Sequence, residues 1–124
     1  KISGRVVYTD RLAPLSEEFG NNILELMKKN SDLDGIFATS DVMAANIIRA
    51  CKKMGKRVPE DISIVGFDDT WISTLTYPSI TTIHQPVQEM CEYAIEAIVK
   101  KVKSEKVPSQ VVFPVELIDR ESTK

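Results

Sequence analysis

A short, largely apolar run at residues 62–66, Ile-Ser-Ile-Val-Gly, constrains the fold of this chain more than any other segment. Pro59 precedes the run, and its β-branched residues are typical of a strand buried on both faces. Such strands occur in parallel sheets, and this one leads directly to two adjacent carboxylates, Asp68 and Asp69. Open parallel sheets bind ligands beyond the carboxyl ends of their strands, so the segment predicts a sheet type and a ligand-binding edge.

Helical and strand-like patterns alternate along the preceding residues. A β-type run lies at 5–8, and the spacing of apolar residues then predicts a helix over 17–29 and a strand over 35–39. Asp41 is predicted to cap a second helix that ends near Lys53. By the right-handed crossover rule this order gives an α/β fold, in which a parallel sheet is flanked by helices in a three-layer, Rossmann-like arrangement.

The second half of the chain predicts three further elements. An irregular stretch over 70–78 is followed by a short strand at 80–83. Apolar residues at helical spacing then predict a long helix over 87–103. A final β-type run at 111–118 carries Pro114 near its middle, which places the run at a sheet edge or a bulge.

Composition argues against several classes of protein. Sixteen basic and eighteen acidic side chains give a formal charge of −2, so this segment carries no electrostatic footprint for nucleic acid. Cys51 and Cys91 both fall on apolar helix faces, and we expect reduced core thiols in a cytoplasmic protein. No apolar run is long enough to span a membrane. Because the chain begins at Lys1 without a methionine, we expect it to be part of a longer protein.

Polar side chains follow two of the predicted strands. Thr-Ser-Asp occupies 39–41 and Phe-Asp-Asp-Thr occupies 67–70, and both segments reach the same edge of a parallel sheet. A carboxylate can accept hydrogen bonds from two neighbouring hydroxyl groups of a ligand, and an aromatic ring can cover the ligand's C–H groups. This mixture of side chains therefore suits a polyhydroxylated ligand. Two other interpretations stay open: Asp41 and Asp69 serve only as a helix cap and a turn residue, or Asp41, Asp68 and Asp69 hold Mg²⁺ for phosphoryl transfer.

Motifs for catalysis are weak in this sequence. There is no phosphate-binding GxxxxGK[ST] or GxGxxG motif, and no nucleophile is placed beside a base. His84 is the only histidine, and the two cysteines do not have the spacing of zinc ligands. We therefore expect no enzyme activity, no metal and no cofactor.

Four segments carry a family resemblance. DGIFATSDVMA at 34–44, RVPEDISIVGFDD at 57–69, PSITTIHQP at 78–86 and ELIDREST at 116–123 resemble, in order and spacing, the lac repressor/galactose repressor family of bacterial transcription regulators. In that family a helix-turn-helix head binds operator DNA, and a two-lobed core similar to periplasmic sugar-binding proteins binds an effector between its lobes. The resemblance implies a periplasmic-binding-protein-like lobe that responds to a small-molecule effector, expected to be a sugar.

The resemblance also implies how the chain is organised. Residues 1–83 correspond to the C-terminal lobe of the core without its first strand–helix unit, 84–118 to a helix and strand that pack on an N-terminal lobe, and 119–124 to a returning segment. It implies a homodimer in which lobe closure around the effector controls DNA binding by a separate head. A lobe of a solute-binding protein for sugar uptake shares this fold and remains an alternative, as does, with less support, the Mg²⁺-dependent enzyme.

Particular residues match the family's functional positions. Ser40 stands where the family often has Asn, and a hydroxyl offers one donor where an amide offers two. Of the two adjacent acids, we expect Asp68 to contact the ligand and Asp69 to shape the turn that presents it. The implied ligand-binding residues are Leu15, Ser40, Asp68 and Gln85, and the implied dimer interface comprises Val42, Ala45, Asn46, Arg49, Leu75 and Thr76.

Overall fold

A four-stranded sheet organises the chain in the computed structural model, which describes residues 17–124, with side chains from residue 20 onward. Three strands run parallel and adjacent, and the fourth is antiparallel to the third. The α/β prediction is confirmed, and the sheet is mixed because its last strand runs in the opposite direction. In spatial order the strands are β1 (Gly35–Phe37), β2 (Ser63–Asp68), β3 (Thr81–His84) and β4 (Glu116–Ile118).

Four helices accompany the sheet in the described part of the chain: α1 (Glu17–Lys29), α2 (Asp41–Lys53), α3 (Trp71–Leu75) and α4 (Val87–Val102). The bounds of α1 and α2 agree with the sequence pattern, and α4 ends one residue earlier than expected. The short helix α3 lies in the stretch that we predicted to be irregular, since five residues are too few to establish a helical period.

The hydrophobic core lies between β2 and the inner faces of α1 and α2. The apolar face predicted for α2 is buried, and Cys51 on that face is completely inaccessible. A fully buried isoleucine or methionine side chain stabilises the folded state by roughly 1.5–3 kcal/mol through the hydrophobic effect. The buried apolar residues are Ile23, Met27, Ala38, Ala44, Ile47, Ile48, Ala50, Cys51, Ile62, Ile64 and Ile80.

The N-terminus of α2 corrects one sequence-based assignment. Ser40, rather than Asp41, is the N-cap, because Ser40 has extended backbone angles and its Oγ accepts a hydrogen bond from the Met43 amide at 3.2 Å. The Asp41 side chain instead points into the protein and is fully buried. Its carboxylate accepts hydrogen bonds from the Thr70 amide at 2.6 Å, the Thr70 hydroxyl at 3.0 Å and the Thr82 hydroxyl at 2.5 Å.

The C-terminal residues form hydrogen bonds to the backbone of β2 and β3. Pairing of these strands begins at Val65 and Thr81, so the backbone groups of Ile64 precede the ladder. Ser122 supplies the missing partners: its carbonyl accepts from the Ile64 amide at 2.8 Å, and its hydroxyl donates to the Ile64 carbonyl at 2.5 Å. The same hydroxyl accepts from the Thr81 amide at 2.9 Å. The chain end is thereby fastened to both strands.

Helix α4 differs from the others because none of its residues is buried. Its apolar side chains are exposed instead, including Ile95 and Ile98 at 64% each. Cys91 is also exposed, so the prediction of a core thiol is wrong at this position, since α4 packs too loosely to bury it. None of the helices between residues 17 and 124 is long and apolar enough to cross a membrane.

Glycine at position 66 makes room for the buried Asp41 carboxylate, which yields a stability prediction. A Cβ atom there would overlap Asp41 Oδ1 and lie 3.0 Å from the Ile80 side chain. We expect Gly66→Ala to lower the free energy of unfolding by about 1–3 kcal/mol, because the close-packed site cannot expand without strain. Urea unfolding followed by circular dichroism measures the change.

Gly20 provides the matched control for Gly66→Ala. It lies within α1, and a Cβ atom there meets nothing within 4 Å. The same substitution at this position is expected to raise stability by roughly 0.5–1 kcal/mol, because alanine has the higher helix propensity. Equal effects of the two substitutions would contradict the packing argument.

Candidate functional site at the carboxyl edge of the sheet

Three of the four predicted ligand-binding residues lie at the carboxyl edge of the parallel strands. Ser40 follows β1, Asp68 ends β2, and Gln85 immediately follows β3. The parallel register pairs Asp68 with His84, which brings Asp68 close to Gln85. Leu15, the fourth predicted residue, lies outside the described residues.

Asp68 and Gln85 are in direct contact. Gln85 Nε2 donates a hydrogen bond to Asp68 Oδ1 at 2.8 Å, and both residues are half-buried. A carboxylate has about four acceptor positions, so this bond leaves capacity for hydroxyl donors from a ligand. The amide carbonyl of Gln85 adds a further acceptor. Together the two side chains form a polar pair suited to hydrogen bonding with a polyol.

Asp69 has different partners from its neighbour. Its Oδ1 accepts a hydrogen bond from Arg120 Nη2 at 2.6 Å, and its Oδ2 lies 3.0 Å from His84 Nδ1. Burial raises the pKa of Asp69, but the hydrogen bonds from Arg120 and His84 outweigh that effect and hold the pKa below its ordinary value. Asp69 therefore stays ionised and serves as an internal anchor at this edge.

Two aromatic residues lie near the carboxyl ends of β1 and β2. The rings of Phe37 in β1 and Phe67 in β2 meet edge to face, with their centroids 6.3 Å apart. Phe67 precedes Asp68 directly, and 59% of the surface of Phe37 is exposed. The edge thus combines carboxylate, amide and hydroxyl groups with apolar ring surface.

The carboxylates proposed as magnesium ligands do not converge. Asp41 is buried against Thr70 and Thr82, while Asp69 pairs with two cationic or potentially cationic groups. Between residues 17 and 124 no cluster of three or more His, Cys, Asp or Glu side chains is arranged to hold a metal ion. These contacts favour a ligand-binding edge over a metal centre.

Three of the residues implied for dimerisation, Ala45, Arg49 and Thr76, lie around one cavity between α2 and the segment after α3. A cavity of about 700 Å³ opens there, lined in part by Ala45, Arg49, Thr76 and Tyr77. This cavity lies apart from the edge that carries Ser40, Asp68 and Gln85. Val42, Ala45, Asn46 and Thr76 are half-buried, whereas Arg49 and Leu75 are exposed.

Sequence reasoning missed the partners of Asp69. Arg120 is separated from Asp69 by 51 positions, and no local pattern joins a C-terminal arginine to a turn in the middle of the chain. The sequence identified His84 only as the single histidine, and its contact with Asp69 was not predicted. Both contacts depend on the strand order, which only the folded sheet provides.

The ion pair of Asp69 generates a prediction about acid stability. Because the pKa of Asp69 is lowered in the folded state, its contribution is present above the ordinary aspartate value of 3.8 and is lost as pH falls through the lower folded value. Asp69→Asn removes this titrating group, so we expect the loss of stability between pH 6 and about pH 2.5 to be smaller in this variant. Urea midpoints at each pH provide the measurement, and an unchanged pH dependence would contradict the assignment.

Comparison with known proteins places this geometry in a family. Residues 6–123 match the family model described as a periplasmic binding protein-like domain. The HTH-type transcriptional regulator MalR of Clostridium butyricum is 41% identical over 101 residues, which cover 82% of this chain and 30% of that protein. The chain thus spans about 30% of the length of the curated relative it matches.

Solved structures of transcriptional regulators are also similar to this chain. The complex of the transcriptional regulator CelR with cellobiose superposes with a TM-score of 0.78 at 32% identity, over 83% of this chain and 32% of that one. The lac repressor dimer bound to operator and the anti-inducer ONPF gives a TM-score of 0.77 at 28% identity, over 87% and 38% of the two chains. This chain therefore belongs to the periplasmic binding protein-like domain family, in the form found in the effector-binding domains of lac repressor-type transcriptional regulators.

Proposed function

We propose that this chain is the effector-sensing and dimer-forming part of a bacterial lac repressor-type transcriptional regulator, and that its effector is a sugar. The observation that carries the proposal is the hydrogen bond between Gln85 and Asp68 at the carboxyl edge of the sheet. The similar CelR domain is described in complex with cellobiose, which supports a sugar as the ligand class.

The chemistry of the edge suits a sugar. The Asp68 carboxylate accepts hydrogen bonds from two neighbouring ring hydroxyls, and Gln85 both donates and accepts. The Ser40 hydroxyl stands at the N-terminus of α2, where it can donate to a ligand oxygen while its own oxygen caps the helix. Phe67 provides an apolar surface for the C–H groups of the sugar ring. Leu15 is proposed as an apolar contact on the family resemblance alone, because it lies outside the described residues.

The second wall of the site is assigned to an N-terminal lobe of the same protein. The exposed apolar side chains of α4 support this division, since Val87, Ile95, Ile98 and Val102 leave a surface that soluble proteins normally cover. Residues 1–83 then form the C-terminal lobe, 84–118 pack on the N-terminal lobe, and 119–124 return. The strands that cross between the lobes include the residues next to Gln85.

Lobe closure is the proposed mechanism. A ligand shifts an equilibrium between two states only by its differential affinity for them, and a sugar between two lobes contacts both walls only when they close. Closure is relayed through a homodimer to a DNA-binding head outside this chain, which contacts operator DNA in the bacterial cytoplasm. The lac repressor, a structural neighbour, is described as a dimer bound to operator, which supports this arrangement.

The sugar assignment predicts a specific loss on substitution of Asp68. Asp68→Asn in the full-length regulator is expected to weaken binding of the effector about 10- to 100-fold, because charge-assisted hydrogen bonds to hydroxyls are lost. Isothermal titration with cellobiose, lactose and maltose identifies the sugar and measures its affinity in both proteins.

Asp34→Asn is the matched control for this experiment. Asp34 precedes β1 at the opposite end of the strand and is exposed, so the same chemical change there is expected to leave sugar affinity unchanged. Equal affinities of the wild type and Asp68→Asn would overturn the assignment of Asp68.

The dimer assignment predicts a change in oligomeric state. Leu75 is 73% exposed, next to Thr76 on the surface formed by α2 and α3. In an isologous dimer each substitution occurs twice, so Leu75→Asp introduces two charges into one contact and is expected to yield monomers. Sedimentation equilibrium of the full-length protein measures this, with Lys29→Asp at an exposed position of α1 as the control that remains dimeric. A dimeric Leu75→Asp variant would place the interface elsewhere.

A further inference from the structure

The turn after β2 has an unusual backbone conformation. Asp68 has a φ of 100° and Asp69 a φ of 52°, although neither residue is glycine. Side chains with a Cβ atom rarely adopt positive φ, and two such residues in succession persist only where surrounding contacts hold them. The conformation directs two adjacent acids to different partners, Asp68 to Gln85 and Asp69 to Arg120 and His84.

Asp69 is held from two directions. Arg120 approaches from the C-terminal segment and His84 from the end of β3, and each binds a different carboxylate oxygen. We call this three-residue group the Asp69 clamp. The Asp69 and Arg120 side chains are only 18% and 17% exposed, so their ion pair is shielded from competing water far more than a surface pair.

Arg120 is itself fixed by further bonds. Its Nη1 donates to the Ile80 carbonyl at 2.9 Å and to the Ser73 hydroxyl at 3.0 Å, while its backbone amide donates to Thr81 Oγ1 at 2.9 Å. The guanidinium therefore has a defined position before any ligand binds. A rigid donor of this kind can impose a conformation on the residue that it contacts.

We infer that Asp69 is a positioning residue, and that its clamp with Arg120 and His84 holds the Asp68 carboxylate in the direction that binds Gln85 and the effector. The part of this inference that concerns effector affinity rests on the proposed function. The link follows because a binding group that is already oriented loses less conformational freedom when the ligand arrives.

Two substitutions test the clamp without removing the acid that contacts the ligand. Asp69→Asn keeps a side chain that tolerates positive φ but removes the charge that Arg120 recognises. Arg120→Gln removes the guanidinium from the opposite side of the same ion pair. The matched control is Ser79→Ala, which removes a hydrogen bond between the body of the protein and the C-terminal segment, from the Ser79 hydroxyl to Glu121, without touching Asp69 or Arg120.

Two measurements are made on the full-length regulator and each variant. The first is the resonance of the Gln85 side-chain amide in the absence of sugar, which reports the hydrogen bond to Asp68. The second is the affinity for whichever of cellobiose, lactose or maltose the wild type binds. We expect Asp69→Asn and Arg120→Gln each to shift the Gln85 resonance and to weaken sugar binding about tenfold, and Ser79→Ala to do neither despite lower stability.

The outcomes separate the inference from the proposed function. A Gln85 resonance that stays in place in Asp69→Asn and Arg120→Gln, or that moves equally in Ser79→Ala, overturns the positioning role. Unchanged sugar affinity in both clamp variants overturns the link to the effector. If the wild type binds none of the three sugars, the sugar assignment is contradicted, and the Gln85 resonance still decides whether Asp69 positions Asp68.

Discussion

The buried carboxylate of Asp41 joins the elements on which the rest of the structure depends. It stands at the start of α2 and binds Thr70, just before α3, and Thr82 in β3. A carboxyl group removed from water without hydrogen-bond partners would destabilise the fold, and the three hydrogen bonds to Asp41 offset that cost. Gly66 leaves the space that the carboxylate occupies. The same contacts hold the strand ends in place, and with them the edge that carries Ser40, Asp68 and Gln85.

The two acids at the end of β2 illustrate how one edge provides both support and recognition. Asp69 binds the half-buried Arg120 and the exposed His84, whereas Asp68 binds Gln85. A single acid could not serve both purposes, because a carboxylate engaged with a buried guanidinium has little freedom left to follow a ligand. Both residues adopt positive φ values, an unfavourable backbone conformation that accompanies the different directions of their side chains.

Much of this arrangement could be predicted from local pattern, and the exceptions have physical reasons. The bounds of α1 and α2 follow from helical periodicity and charged ends, and the placement of Ser40 and Asp68 at one edge follows from the parallel order of the strands. Gln85 was implied only by the family resemblance. The cap of α2 was assigned one residue too late, because Ser40 and Asp41 are both good N-cap residues and only the backbone angles distinguish them. Cys91 was expected to be buried because periodicity identifies an apolar face but not the surface that covers it.

The sequence by itself determined the α/β class, the main helices and the placement of Ser40 and Asp68 at the carboxyl edge, because each of these depends on periodicity or on the positions of strand ends. Only the tertiary structure decided the partners of Asp41 and Asp69, the antiparallel direction of β4 and the position of Ser122 between β2 and β3. These contacts join residues tens of positions apart. Their energies depend on burial and on the relative placement of whole elements, which no local pattern encodes.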